Sequence, residues 1–121
     1  MAAVLDPALA AGLLWSCPPI ELEVAYSAQS PSEYIVVQQE RAVTYSQAPL
    51  VAEVGVTATE LPASLANTLQ LGAVGPIDLL IAATAVHYGL TVLHYDNDYE
   101  TLAAADVRVS QRWVVPRGSV G

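Results

Sequence analysis

The sequence predicts an α/β domain, a short sheet of mostly parallel strands with helices on both faces, and three observations carry that expectation. Helix-forming and strand-forming stretches alternate along the chain, which is the order that builds parallel sheets with crossover helices. The β-rich run Thr91–Tyr95 lies between a helical stretch that proline opens and glycine closes and a second helix signal at Asp96. Of the 121 residues, 54% are hydrophobic and 13% charged, enough to bury one core and too short for two domains. Residues 1–121 are therefore read as a single domain, and a disordered chain is excluded.

Taken in order, Asp6-Pro7 followed by Ala8, Leu9, Leu13 and Leu14 predicts a short helix capped by Asp6, with Gly12 near its end. Gly12–Cys17 reads as a brief buried strand stopped by Pro18-Pro19, and proline in a first turn then permits a helix through Ile20 to Tyr26. Ser30-Pro31-Ser32-Glu33 starts a second helix, whose inward face is expected to carry Ile35, Val36, Ala42 and Val43 until Ala48-Pro49 breaks it. From Leu50 to Leu71 a helical pattern points Val51, Val54, Leu61, Leu65 and Leu69 inward, with a kink or break near Leu61 because Pro62 follows. Gly75-Pro76-Ile77-Asp78 opens the next helix, which runs to His87 or Tyr88 and stops at Gly89. After the strand Thr91–Tyr95, Asp96-Asn97-Asp98 forms a turn that caps a helix through Leu102 and Ala103. Val107–Val109 and Trp113–Val115 are read as the last strands.

Twelve acidic side chains face four basic ones, there is no Lys, and the net charge is −8. Such a balance argues against nucleic-acid binding driven by Lys and Arg contacts to phosphate. It suits a basic partner, or carboxylates neutralised by divalent cations. The longest apolar runs, Ala8–Trp15 and Leu79–Val86, fall far short of the about 18–20 residues a membrane span needs. The first charge is Asp6 rather than a basic n-region, so no export signal is read and a cytoplasmic protein with no membrane contact is expected. The single Cys17 excludes an internal disulfide and a thiolate metal site, and is read as a small buried hydrophobe. No phosphate-cradling glycine loop and no G-x-S-x-G elbow occurs.

Three acids stand where structure alone gives them modest reward. Asp78 opens a very apolar helix, where a first-turn acid ordinarily serves the helix dipole. Asp96 follows a buried strand at its C-terminal end, the usual ligand position of open α/β sheets, although a turn-forming role is the plainer reading. Glu23 sits among Leu22, Val24 and Ala25; Glu21, about 200° away on a helix, cannot share its direction. Carboxylates drawn from several element ends into one cleft repel one another, and a hard divalent cation relieves that repulsion. Mg²⁺ or Mn²⁺ so held orients a water and stabilises charge on a phosphodiester under in-line attack. His87 and His94 lack a third nitrogen or sulfur partner; His87 is placed near its helix end and His94 in the strand.

The segment Val74–Ala85 and the run His87–Tyr99, with Cys17–Ala28 upstream and Trp113–Ser119 at the end, resemble PIN-domain ribonucleases, more narrowly the VapC-type toxins of toxin–antitoxin pairs. The resemblance implies a three-layer α/β/α PIN-like domain that gathers acids around Mg²⁺ or Mn²⁺ and cleaves RNA. It implies Glu23, Asp78 and Asp96 as catalytic residues and metal ligands, with Asp98 as an accessory metal-ligating acid, and leaves Glu21 outside the pattern and exposed. It also implies an RNA substrate and a cognate antitoxin protein as partners, and a homodimer is compatible with so apolar a short chain. The family opens with a hydrophobic strand ending in Asp, and Val4-Leu5-Asp6-Pro7 matches it poorly. The chain is therefore expected to lack that first strand at its N-terminus. The alternative to a ribonuclease toxin is a catalytically weakened or inactive remnant that only binds an antitoxin or dimerises.

Overall fold

The computed structural model describes residues 3–6 and 14–114. In chain order they form β1 (Val4–Asp6), β2 (Leu14–Ser16), α1 (Pro18–Tyr26), α2 (Pro31–Thr44), β3 (Tyr45–Gln47), α3 (Ala52–Asn67), α4 (Pro76–Tyr88), β4 (Thr91–His94), α5 (Asn97–Ala105) and β5 (Gln111–Trp113). The sheet order is β3-β2-β1-β4-β5, so the architecture is α/β as expected. Among these residues no helix is long and apolar enough to cross a membrane.

The sheet is mixed rather than mostly parallel. β2 with β3 and β4 with β5 run parallel, whereas β1 lies antiparallel to both of its neighbours, with Leu5 opposite Trp15 and Val92. Chain length explains the polarity. Only residues 7–13 separate β1 from β2, and a parallel crossover needs a dozen or more. The expected lack of a first strand is not borne out, since Val4–Asp6 forms the central strand, but its direction carries Asp6 to the register of Thr91, the end of β4 away from Asp96. The helix expected from Asp6 is corrected at both ends, since Asp6 closes β1 and Leu14 opens β2; residues 7–13 lie outside the described residues.

α4 organises the interior. Ile81 and Ala85 join Leu5, Ile20 and Val92 in one core against the sheet, while Ala82 and Ala83 join Val54, Leu61, Leu65 and Leu102 in a second core beneath α3 and α5. A helix buried on both sides must be apolar all round, which explains the run Leu79–Ala83. Gly75 precedes the proline-opened first turn and Gly89 ends the helix at φ 67°, the left-handed conformation that glycine adopts without cost.

Several local expectations are corrected. α3 runs unbroken through Pro62, because burial of Val54, Ala58, Leu61 and Leu65 outweighs the hydrogen bond that proline removes. Leu69 lies beyond the helix end at φ 59° and is 96% exposed. Ile35, Val36, Ala42 and Val43 do not form an inward face, since α2 has no buried residue. Val107–Val109 is a turn, because the Asp106 carboxylate accepts the Arg108 backbone N–H at 3.0 Å. The final strand starts earlier, at Gln111, and Val115 lies outside the described residues. β3 was missed; it is a three-residue edge strand with no apolar alternation to announce it.

The two faces of the sheet have different surroundings. Leu5 and Val92 turn toward the first core, and Val4, Leu14 and Leu93 line a groove of about 620 Å³ with Val24, Arg41 and Tyr45. Arg41 is the anchor of α2: it donates to both oxygens of Glu21 and lies 4.5 Å over the Tyr45 ring. Ser16 donates to the same carboxylate. Glu21 was expected to be exposed; this pairing draws it to 23% side-chain exposure. Burial works to raise its pKa, but the Arg41 and Ser16 hydrogen bonds and the Arg41 charge hold it below the usual carboxylate range.

Candidate metal centre

Two helix starts bring the acids together. Asp78 is in the first turn of α4 and Asp98 in the first turn of α5, where the helix dipole favours negative charge. Asp96 caps α5, its Oδ1 accepting the Asp98 N–H at 3.0 Å. The parallel pair β4–β5 and the packing of α4 against α5 aim these ends at one point, so one carboxylate oxygen from each of Asp78, Asp96 and Asp98 lies within 4.8 Å of the others.

The remaining predicted site residue, Glu23, is an exposed side chain of α1 and lines the same cleft, about 260 Å³, with Ala3, Asp78, His94, Tyr95 and Asp96. It does not belong to the three-acid group. Asp6 does not approach: its carboxylate accepts from the Arg112 guanidinium at 3.0 Å. Cys17 is fully buried beside Pro18, as expected, and burial pushes its thiol pKa up. His87 sits in the last turn of α4 and His94 at the end of β4, both as expected.

Electrostatics inside the cluster follow from crowding. Burial raises the Asp78 pKa, the Tyr99 hydrogen bond opposes the rise, and the charges of Asp96 and Glu23 add to it. Asp98 is raised by burial and then by the charges of Asp96 and Asp78. Three hard oxygen donors crowded within 4.8 Å fit an oxygen-preferring divalent cation such as Mg²⁺ or Mn²⁺. No ring nitrogen competes. His94 accepts the Asp96 N–H on Nδ1 at 2.9 Å and donates from Nε2 to the Gln111 Oε1 at 2.6 Å, so both nitrogens are engaged. Burial lowers its pKa, consistent with a neutral ring, although Gln111 and the nearby acids oppose that shift.

Tyr99 was not singled out from the sequence. It is 2% exposed and donates its hydroxyl to Asp78 Oδ1 at 2.9 Å. Burial, then the Asp78 charge, pushes its own pKa far upward, so it remains a donor. The available signal was its position next to Asp98, where the first turn of α5 must return toward the core.

Residues 2–105 match the PIN domain family. The chain is 36% identical over 117 residues to ribonuclease VapC21 of Mycobacterium tuberculosis, covering 95% of this chain and 83% of the relative. It is 34% identical over 115 residues to ribonuclease VapC18 of the same species, covering 93% and 82%. With ribonuclease VapC51, also of that species, it shares 34% identity over 119 residues, covering 96% and 82%.

Proposed function

Because this chain belongs to the PIN-domain family, we propose that it is an endoribonuclease toxin of the VapC type, neutralised by a cognate antitoxin protein. The observation that carries the proposal is the meeting of Asp78, Asp96 and Asp98 within 4.8 Å in a chain similar over nearly its whole length to three ribonucleases. The inactive-remnant alternative is not the one these features favour.

Asp78, Asp96 and Asp98 would hold one Mg²⁺ or Mn²⁺, with Glu23 supplying a further carboxylate from the cleft wall. When bound, the ion orients an attacking water and offsets charge building on the scissile phosphodiester. Glu23, Asp78 and Asp96 are the residues assigned to catalysis, and Asp98 is assigned to metal binding. Arg41, Arg108 and Arg112 are all tied to carboxylates, so among the described residues no arginine is set aside for RNA phosphate. The acidic cleft suits an antitoxin that presents Arg side chains. We assign the activity to the cytoplasm. A homodimer is supported by the exposed Ile35, Val36 and Val43 of α2.

The test is Mn²⁺-dependent RNA cleavage by the purified chain against the double variant Asp78→Asn, Asp96→Asn. Cleavage should fall at least about 100-fold in the variant. Equal cleavage by both proteins would sink the proposal.

A further inference from the structure

The acids of this centre come from two different helices, and one buried side chain ties those helices at the acids themselves. Tyr99 follows Asp98 in the first turn of α5, yet its hydroxyl reaches across to Asp78 Oδ1 on α4 at 2.9 Å. Its ring is locked in the core with Leu5, Ile20, Ile81 and Val92, and stands 4.9 Å from the His94 ring that accepts the Asp96 N–H. A phenylalanine would fill the same volume, so packing alone does not call for the hydroxyl. A half-buried carboxylate in this cluster is repelled by the charges of Asp96 and Glu23, and free rotation would let it turn away from the shared point.

We propose that Tyr99 is a positioning residue of the metal centre: by holding Oδ1 of Asp78, it fixes the carboxylate plane so that Asp78, Asp96 and Asp98 present oxygens to one cation together. Outer hydrogen bonds of this kind orient metal-ligating carboxylates, and removing one commonly weakens metal affinity or activity about 10–100-fold. Resting on the ribonuclease reading above, the role also predicts loss of turnover with RNA binding retained, since Tyr99 lines the floor of the cleft at 2% exposure and its hydroxyl is spent on Asp78.

The experiment compares the full chain with Tyr99→Phe and with Ile81→Val. Ile81 lies in the same core and far from any hydrogen-bonding role, so its variant controls for lost packing. Mn²⁺ affinity is read by electron paramagnetic resonance, thermal stability in chelator by circular dichroism, and cleavage as separate kcat and KM. Tyr99→Phe should weaken Mn²⁺ binding about 10-fold and lower kcat at fixed Mn²⁺, with KM for RNA unchanged. Ile81→Val should lower the melting temperature with Mn²⁺ affinity intact. Unchanged Mn²⁺ affinity in Tyr99→Phe, or an equal loss in Ile81→Val, would overturn the positioning role while leaving the ribonuclease reading in place. Absence of Mn²⁺ binding by the unaltered chain would overturn both.

Discussion

The Arg112 guanidinium donates to the Asp6 carboxylate at 3.0 Å, joining two residues 106 positions apart on strands that flank β4. This contact holds Asp6 at the end of the sheet away from Asp96, as the antiparallel direction of β1 requires. Asp6→Asn should therefore leave Mn²⁺ affinity and RNA cleavage within about twofold of the unaltered chain. Its stability cost should stay below about 1 kcal/mol, because Arg112 is 66% exposed and surface ion pairs contribute little. A large loss of Mn²⁺ binding in this variant would mean that Asp6 reaches the cluster.

Asp78 is expected to trade stability for function. Burial and neighbouring acids raise its pKa, so its ionised form costs folding free energy when no cation is bound. In chelator at pH 7, Asp78→Asn should melt higher by about 2–4 °C while losing the Mn²⁺-induced rise in melting temperature. The sign with pH follows: a carboxyl raised in the folded state penalises folding at high pH, and the penalty fades as pH falls toward the ordinary carboxylate range. The gap between variant and unaltered chain should narrow over that descent. A variant that melts lower at pH 7 in chelator would refute this account.

Asp106 carries the opposite dependence. The Arg108 side-chain hydrogen bond lowers its pKa to about 2; burial opposes the shift, and the Arg108 N–H and the Ser64 hydroxyl assist it. A depressed carboxyl stabilises the fold above its unfolded pKa, and that stability is lost as pH falls from about 4 to about 2. With allowance for solvent screening through the 41%-exposed Arg108, the contribution is about 1 kcal/mol. Asp106→Asn should be less stable at pH 7 by about that amount, with the difference vanishing near pH 2 in acid titrations followed by fluorescence.

Arg41 anchors a helix that has no buried residue of its own. Replacing it by Met leaves Glu21 at 23% side-chain exposure without its partner, which should cost about 2–3 kcal/mol in urea denaturation. Adding Glu21→Gln should recover at least about half of that loss, because no uncompensated charge then remains. Additive losses would show that the pair is not coupled.

Wherever local chemistry decides the outcome, the sequence is enough to read this protein. Pro76 and Gly89 bound α4, Ser30 caps α2 by accepting the Glu33 N–H, and Asp96 caps α5, each through a rule that acts within a few residues. Asp78 and Asp96 were legible as candidates for the same reason, since acids at helix starts and strand ends sit where ligands bind, whereas Asp98 entered only through the family resemblance. What depends on distant partners was not legible. Tyr99 and Asp78 meet only because α4 and α5 pack together, and Glu21 is drawn inward only because Arg41 returns 20 residues later.

By itself, then, the sequence determined the α/β class, the bounds of α1 and α4 and the acids available for a cation, because caps, prolines and apolar runs act on their neighbours. Only the tertiary structure decided the direction of β1, the exclusion of Asp6, the exposed face of α2 and the tie from Tyr99 to Asp78. Strand polarity depends on the length of connection available, and side-chain pairing on which surfaces bury each other; neither is a property of any short stretch of chain.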